Sequence, residues 1–260
     1  MIALVEDAGI AYDDVGSGLP VVFLHAFPLN RTMWEPQVGA LVAECRCIPI
    51  DMRGLGDSAA APPYSMDRYA DDVAGVLDVL QIERAVVCGL SMGGYVAFEL
   101  WRQARERFAG LLLANTRAGA DSDEGAAGRR ALAARLTEEG SGFLVESPPP
   151  LLSEDASEDL RGRVRDLIAA QPAASIAAAA LGMAERPDST PDLATIDVPT
   201  LVVTSNLDTL IPAEATSPMA DQIPGAELAM IDGAGHLSNL EAAGAFGGLL
   251  AHHVERCLPG

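Results

Sequence analysis

Three residues of this chain have the types and the order that nucleophilic acyl chemistry needs: Ser91, Asp208 and His236. The serine stands in Gly89-Leu90-Ser91-Met92-Gly93. The run from Ala85 to Cys88 before it is apolar, β-branched in its middle and suited to a buried strand. From Met92 the apolar residues Val96, Ala97, Leu100 and Trp101 take helical spacing. A strand, a tight glycine-flanked turn and a helix hold a serine in a strained conformation with its hydroxyl above the sheet. The Met92 amide opens that helix and can face an oxyanion.

A serine hydroxyl attacks only when a base takes its proton, and a carboxylate commonly fixes the tautomer of that base. His236 lies in the loop Asp232-Gly233-Ala234-Gly235-His236 after a short strand and is the expected base. His25 ends a strand ahead of the serine, out of order for this role, and His252 and His253 read as exposed residues of the last helix. Asp208 follows the buried run Leu201-Val202-Val203-Thr204 and is the expected acid; Asp232 reads as a turn former. The second oxyanion donor is expected from Ala26-Phe27-Pro28. Pro28 has no N–H, which leaves the Phe27 amide. Activity on this reading rises with pH as His236 loses its proton.

These residues need a scaffold that presents strand ends. Apolar strands are expected at Val21–Leu24, Cys45–Ile50, Ala85–Cys88, Gly110–Ala114, Pro199–Thr204 and Glu227–Ile231. Helical patterns lie between them, at Arg31–Glu44, Asp67–Leu80, beyond Met92 and at Asn239–Arg256. The alternation predicts an α/β fold with a mostly parallel sheet covered on both faces. Residues 116–196 break the pattern, with helices expected near Asp123–Glu138, Ser157–Ala170 and Pro172–Glu185 and no strong strand. They read as a helical cap inserted into a core made of residues 1–115 and 197–260.

Composition narrows the chemistry. The 260 residues carry a net charge of −20, which disfavours nucleic acid and anionic membranes as partners. All 17 basic residues are arginine. Without lysine there is neither a Walker-type phosphate loop nor a Schiff base for pyridoxal phosphate, and no Gly-x-G-x-x-G follows a strand. No cofactor or metal is expected. The four cysteines lack metal-ligand spacing and read as buried free thiols. No apolar run approaches the roughly 20 residues of a membrane span. The start, MIALVEDAGIAYDD, lacks a basic n-region, so a cytoplasmic location is expected.

The chain resembles α/β-hydrolase-fold enzymes of the small carboxylesterase and 3-oxoadipate enol-lactonase type. The matching segments are HAFPLN at 25–30, DMRGLGDS at 51–58, GLSMGGYVAFEL at 89–100, RPDSTPDL at 186–193, VPTLVVTSNLD at 198–208 and GAGHLSNLE at 233–241. The resemblance spans nearly the whole chain and is weakest in the cap. It implies an eight-stranded, mostly parallel sheet with a helical lid, and hydrolysis of a small ester through an acyl-enzyme. Some members place the acid after the strand that follows the elbow helix; here that residue is Asn115, which cannot carry the charge. Two departures stand out: Ala26 replaces a usual glycine, and Ser205 replaces the glycine of a frequent Gly-x-x-Asp. Asp51, Arg53 and Ser58 match a segment that is more often structural than catalytic. Relatives with an aspartate or cysteine nucleophile are set aside by Ser91. Enol-lactonase, carbon–carbon bond hydrolase, perhydrolase and hydrolase-like small-molecule receptor remain as alternatives to the esterase. A lactone substrate would want a cation for its carboxylate, for which Arg117 is the candidate, and Phe27, Trp34 and Met92 are candidates for the pocket wall.

Overall fold

Strands that are apolar on both faces require a sheet covered on both faces. The computed structural model, which describes residues 1–62 and 64–258, has that architecture. Its strands are β1 (Ile2–Val5), β2 (Ala8–Ala11), β3 (Val15–Gly16), β4 (Leu19–Leu24), β5 (Cys45–Ile50), β6 (Ala85–Leu90), β7 (Phe108–Ala114), β8 (Thr200–Ser205) and β9 (Glu227–Ile231). Its helices are α1 (Glu35–Leu41), α2 (Met66–Val79), α3 (Met92–Ala104), α4 (Asp123–Glu139), α5 (Gly142–Glu146), α6 (Glu158–Ala169), α7 (Ala173–Ala184), α8 (Ala213–Thr216), α9 (Pro218–Gln222), α10 (Ser238–Glu241) and α11 (Ala243–Arg256).

The main sheet runs β3-β5-β4-β6-β7-β8-β9, parallel throughout except for the β3–β5 pair. β6 and β8 bury every residue. α1 packs beside α11, and α2 packs beside α3; the right-handed rule for parallel crossovers puts the two pairs on opposite faces. The sheet has seven strands among the described residues, not the expected eight. β1 and β2 pair only with each other, Ile2 opposite Ala11 through Val5 opposite Ala8. Beyond them the chain meets the main sheet through one bridge, Tyr12 to Ile50, and then Asp13 and Asp14 turn to Arg31 and Arg46. Those ion pairs end the ladder, and only the two residues of β3 rejoin it.

Helices α4 to α7 lie between β7 and β8, with α4 packed on α7. The expected helix Arg31–Glu44 is instead a 3-10 turn, Arg31–Trp34, continued by α1. Asn30 caps it, its side chain accepting the Thr32 amide at 3.0 Å. All four cysteines are buried free thiols. His253, expected on an exposed helix face, is fully buried. With Phe246 and Leu250 it lies on the side of α11 that packs against β7, three and four residues apart. Burial, reinforced by the charge of Arg256, pushes its pKa down to about 4. No single helix among the described residues is long and apolar enough to cross a membrane.

Candidate active site

Ser91 sits between the end of β6 and the start of α3 at φ +56°, a left-handed conformation that costs a non-glycine residue energy. Two bonds hold it there. Its amide donates to the Ala114 carbonyl at 2.9 Å, and the Thr116 hydroxyl donates to its carbonyl at 2.8 Å. The turn is tight enough that a Cβ on Gly93 would run into the Leu24 carbonyl, so β4 and the head of α3 meet only through that glycine. The serine opens onto a cavity of about 690 Å³ whose wall includes Phe27, Tyr95, Arg117, Leu144 and Leu151.

His236 and Asp208 are both buried, and His236 Nδ1 lies 2.8 Å from Asp208 Oδ2. The same oxygen accepts the Asn115 amide at 2.9 Å, and Oδ1 accepts the backbone N–H groups of Leu210 and Ile211, each at 2.9 Å. Four donors thus saturate the carboxylate. Burial opposes its ionisation, but the bonds and charge of His236, with the Ile211 amide and Asn115, hold the carboxyl below its ordinary range. An ionised Asp208 accepts a hydrogen bond from the Nδ1–H of the imidazole, which leaves the lone pair on Nε2. That buried Nε2 has no hydrogen-bond partner among the described residues. The arrangement can take a proton from a hydroxyl.

Asn115 does more than fill the vacated acid position. It lies directly after β7 at φ +44°, donates to the Ser205 hydroxyl at 2.8 Å and accepts the Ser238 hydroxyl at 2.6 Å. Ser205 in turn donates to the Gly235 carbonyl at 2.6 Å, one residue before His236. The hydroxyl that replaces the usual glycine is therefore a strut between the acid strand and the histidine loop. Its partners lie 30 and 90 residues away, so the sequence carried no local signal for it.

The loop after β4 is fixed by His25. Its Nε2 accepts the Met52 amide at 2.9 Å and its Nδ1 donates to the Ala26 carbonyl at 2.9 Å. Burial pushes its pKa down, which keeps the ring neutral in that tautomer. The Phe27 and Met92 amides have no protein acceptor among the described residues. The Met92 amide also lies at the positive end of α3. Asp51, Arg53 and Ser58 act structurally. Arg53 holds Asp72 in a buried two-toothed pair at 2.8 and 2.6 Å, and Ser58 bridges the Ala11 amide and the Asp51 carbonyl.

The expected wall residues divide. Phe27 and Arg117 line the cavity. Trp34 does not: it is fully buried with its ring 5.3 Å from that of Phe23 and 5.9 Å from that of Phe246, a packing residue between sheet and α11. The Met92 side chain is likewise buried in the core.

Glu241, the last residue of GAGHLSNLE, is a site residue to which sequence reasoning assigned no role. Its carboxylate accepts the Gly235 amide at 2.8 Å and, from the insertion, the Ser153 hydroxyl at 2.6 Å and the Ser153 amide at 3.0 Å. The Leu237 amide donates to the Leu151 carbonyl at 2.9 Å beside it. The cavity wall at Leu151 is thereby tied to the histidine loop. Replacing Glu241 by alanine strands two buried amides, at a cost of about 1–3 kcal/mol. Urea unfolding of Glu241→Ala checks this; a midpoint equal to wild type would mean that water replaces the carboxylate without loss.

Residues 21–247 match the alpha/beta hydrolase family. The chain is 31% identical over 225 residues to 3-oxoadipate enol-lactonase 1 of Acinetobacter baylyi, covering 85% of this chain and 83% of that one. Among solved structures it is similar to a thermophilic esterase from Thermogutta terrifontis with malate bound. That likeness has a TM-score of 0.95 and 39% identity over 99% of this chain and 98% of the other. It is also similar to the enol-lactonase from Burkholderia xenovorans LB400, with a TM-score of 0.91 and 28% identity over 98% and 100%. An elbow serine, a parallel sheet presenting every site loop at its carboxyl edge, and these matches along nearly the full chain place the protein in the alpha/beta hydrolase family.

Proposed function

We propose that the protein is a serine hydrolase of small carboxylic esters acting through an acyl-enzyme. The observation that carries this reading is the unpartnered His236 Nε2, held as a base by Asp208, in a fold that sets Ser91 on an open cavity. Ser91 Oγ attacks the ester carbonyl carbon as its proton passes to His236 Nε2. The carbonyl oxygen becomes an oxyanion that accepts the Phe27 and Met92 amides. The tetrahedral adduct expels the alkoxide, which takes the proton from His236, and the acyl group stays on Ser91. Water then attacks the acyl-enzyme, giving its proton to His236, and the adduct breaks to the acid as His236 returns that proton to the departing Ser91 Oγ.

Hydrolysis of an enol-lactone by the same steps is the second reading. The identity to an enol-lactonase over most of both chains favours it. The 39% identity to an esterase over almost the whole chain favours the open ester.

The test is a covalent trap. Incubation with a p-nitrophenyl phosphonate should release one equivalent of p-nitrophenol per chain and place the phosphonyl group on the peptide that holds Ser91. Assays of short p-nitrophenyl esters beside an enol-lactone then separate the two readings. Label on another residue, or none on folded protein, would overturn the serine mechanism.

A further inference from the structure

Three guanidinium groups converge on one carboxylate at the wall of the cavity. Asp121, its side chain 2% exposed, pairs with Arg117, with Arg129 of α4 and with Arg186 just beyond α7, the last at 2.9 Å. No second carboxylate pairs with any of these arginines among the described residues. The cluster therefore holds three positive charges against one negative, in a protein whose net charge is −20. Burial pushes the Asp121 carboxyl up, but Arg129 and Arg186 outweigh it and bring its pKa down to about 2, so it stays ionised.

Cap assembly accounts for only part of this. Asp121 does join three segments, the strand end after β7, α4 and the end of α7. One arginine would satisfy such a joint, and each further guanidinium adds desolvation and like-charge repulsion. Arg186 is the inner member, 3% exposed, with its guanidinium 3.9 Å over the ring of Tyr95, and that ring lines the cavity. Arg117 and Arg129 line the cavity themselves, together with Ser91. The Nε atoms of both Arg117 and Arg186 are buried without an acceptor among the described residues. Excess positive charge on Arg117 and Arg129, at the wall of the cavity that also holds Ser91, is what a bound anion would complete.

We propose that Arg117 and Arg129, backed by Arg186 and held by Asp121, form an anion subsite of the cavity, and that the substrate is a small ester with a second, ionised carboxylate. The net field of the protein opposes such a substrate only at long range. Salt screens it beyond about 8–10 Å, while the arginines act at contact. Asp121 positions the guanidiniums and also competes with the substrate for them. The arginines and the aspartate should therefore act on selectivity in opposite directions, which a joint that only holds the cap together would not do.

The proposal rests on the ester-hydrolase reading, and its test separates the two. Mono-p-nitrophenyl glutarate is compared with p-nitrophenyl valerate, which has the same acyl chain length without the charge. 4-Acetoxybenzoate is compared with phenyl acetate for a carboxylate on the alcohol side. In one of these pairs the kcat/KM ratio of charged to neutral ester should exceed one by about 10- to 100-fold, mainly through KM. Arg117→Gln and Arg129→Gln should each lower that ratio about tenfold, and Asp121→Asn should raise it. Neutral esters turned over with no preference in either pair would overturn the subsite and leave the hydrolase standing. A ratio that Arg and Asp replacements shift in the same direction, or do not shift, would overturn it too. If no ester is hydrolysed, or Asp121→Asn fails to fold, calorimetry decides: glutarate should bind wild type more tightly than valerate does, and Arg117→Gln should remove the difference. Equal binding of the two acids would overturn the subsite independently of turnover.

Discussion

Replacing Ser91 by alanine should lower kcat on any ester that the protein cleaves by about 10⁴–10⁶-fold and leave the fold intact. The size of the effect follows from what the hydroxyl does. It is the atom that bonds to the substrate, so its removal leaves only oriented water and the two amide donors, which retain a small part of the acceleration. The fold is indifferent because the restraints on residue 91 are backbone ones: its amide on Ala114 and its carbonyl under the Thr116 hydroxyl. Alanine at φ +56° bears the same strain as serine, so unfolding in urea should show an unchanged midpoint. Residual activity within tenfold of wild type, after contaminating esterase is excluded by active-site titration, would remove Ser91 from the mechanism.

The elbow was legible because its chemistry and its geometry come from the same few residues. A glycine is needed where Leu24 approaches residue 93, and a helix must start at Met92 for the amide to be free, so Gly89 to Val96 announces itself locally. Asp208 and His236 were legible for a related reason: each follows an apolar strand, and strand ends in a parallel sheet share one edge. What stayed hidden depends on partners far along the chain. Asn115 read as an absence of charge, and only the sheet order, β7 beside β8, shows it bracing Asp208. His253 was misplaced because its place on the covered side of α11, with Phe246 and Leu250, shows only once β7 lies against that side, and helical spacing at Trp34 shows burial without saying what covers it. The strand count failed at Tyr12, where two aspartates find arginines from other elements. Asp121 was invisible altogether, since no motif marks it and its innermost partner, Arg186, comes from beyond α7 to join the nearby Arg117 and Arg129.

Replacing Asp208 by asparagine should lower kcat by about 10⁴-fold, with a smaller loss of stability. The two carboxylate oxygens accept four donors: the Leu210 and Ile211 amides on one, Asn115 and His236 on the other. A carboxamide has one acceptor and one donor end. If its oxygen stays on the two backbone amides, its NH₂ faces Asn115 and His236. The imidazole then answers with a bare Nδ1 and moves its proton to Nε2, the atom that must accept the proton of Ser91. Turning the carboxamide over restores the histidine bond but sets NH₂ against two backbone amides that cannot move. Asn115 could relieve the first arrangement by flipping, yet its oxygen is already committed to Ser238 at 2.6 Å. Each arrangement leaves at least one buried donor unpaired, about 1–3 kcal/mol. Nitrogen NMR of the imidazole should show the proton on Nδ1 in wild type and on Nε2 in the variant. Asn115→Ala keeps the carboxylate but loses its brace and the bonds to Ser205 and Ser238, so it should keep the Nδ1 tautomer and lose about 10- to 100-fold in kcat. A variant Asp208→Asn with near-wild-type kcat, or with the tautomer unchanged, would mean that another group orients His236.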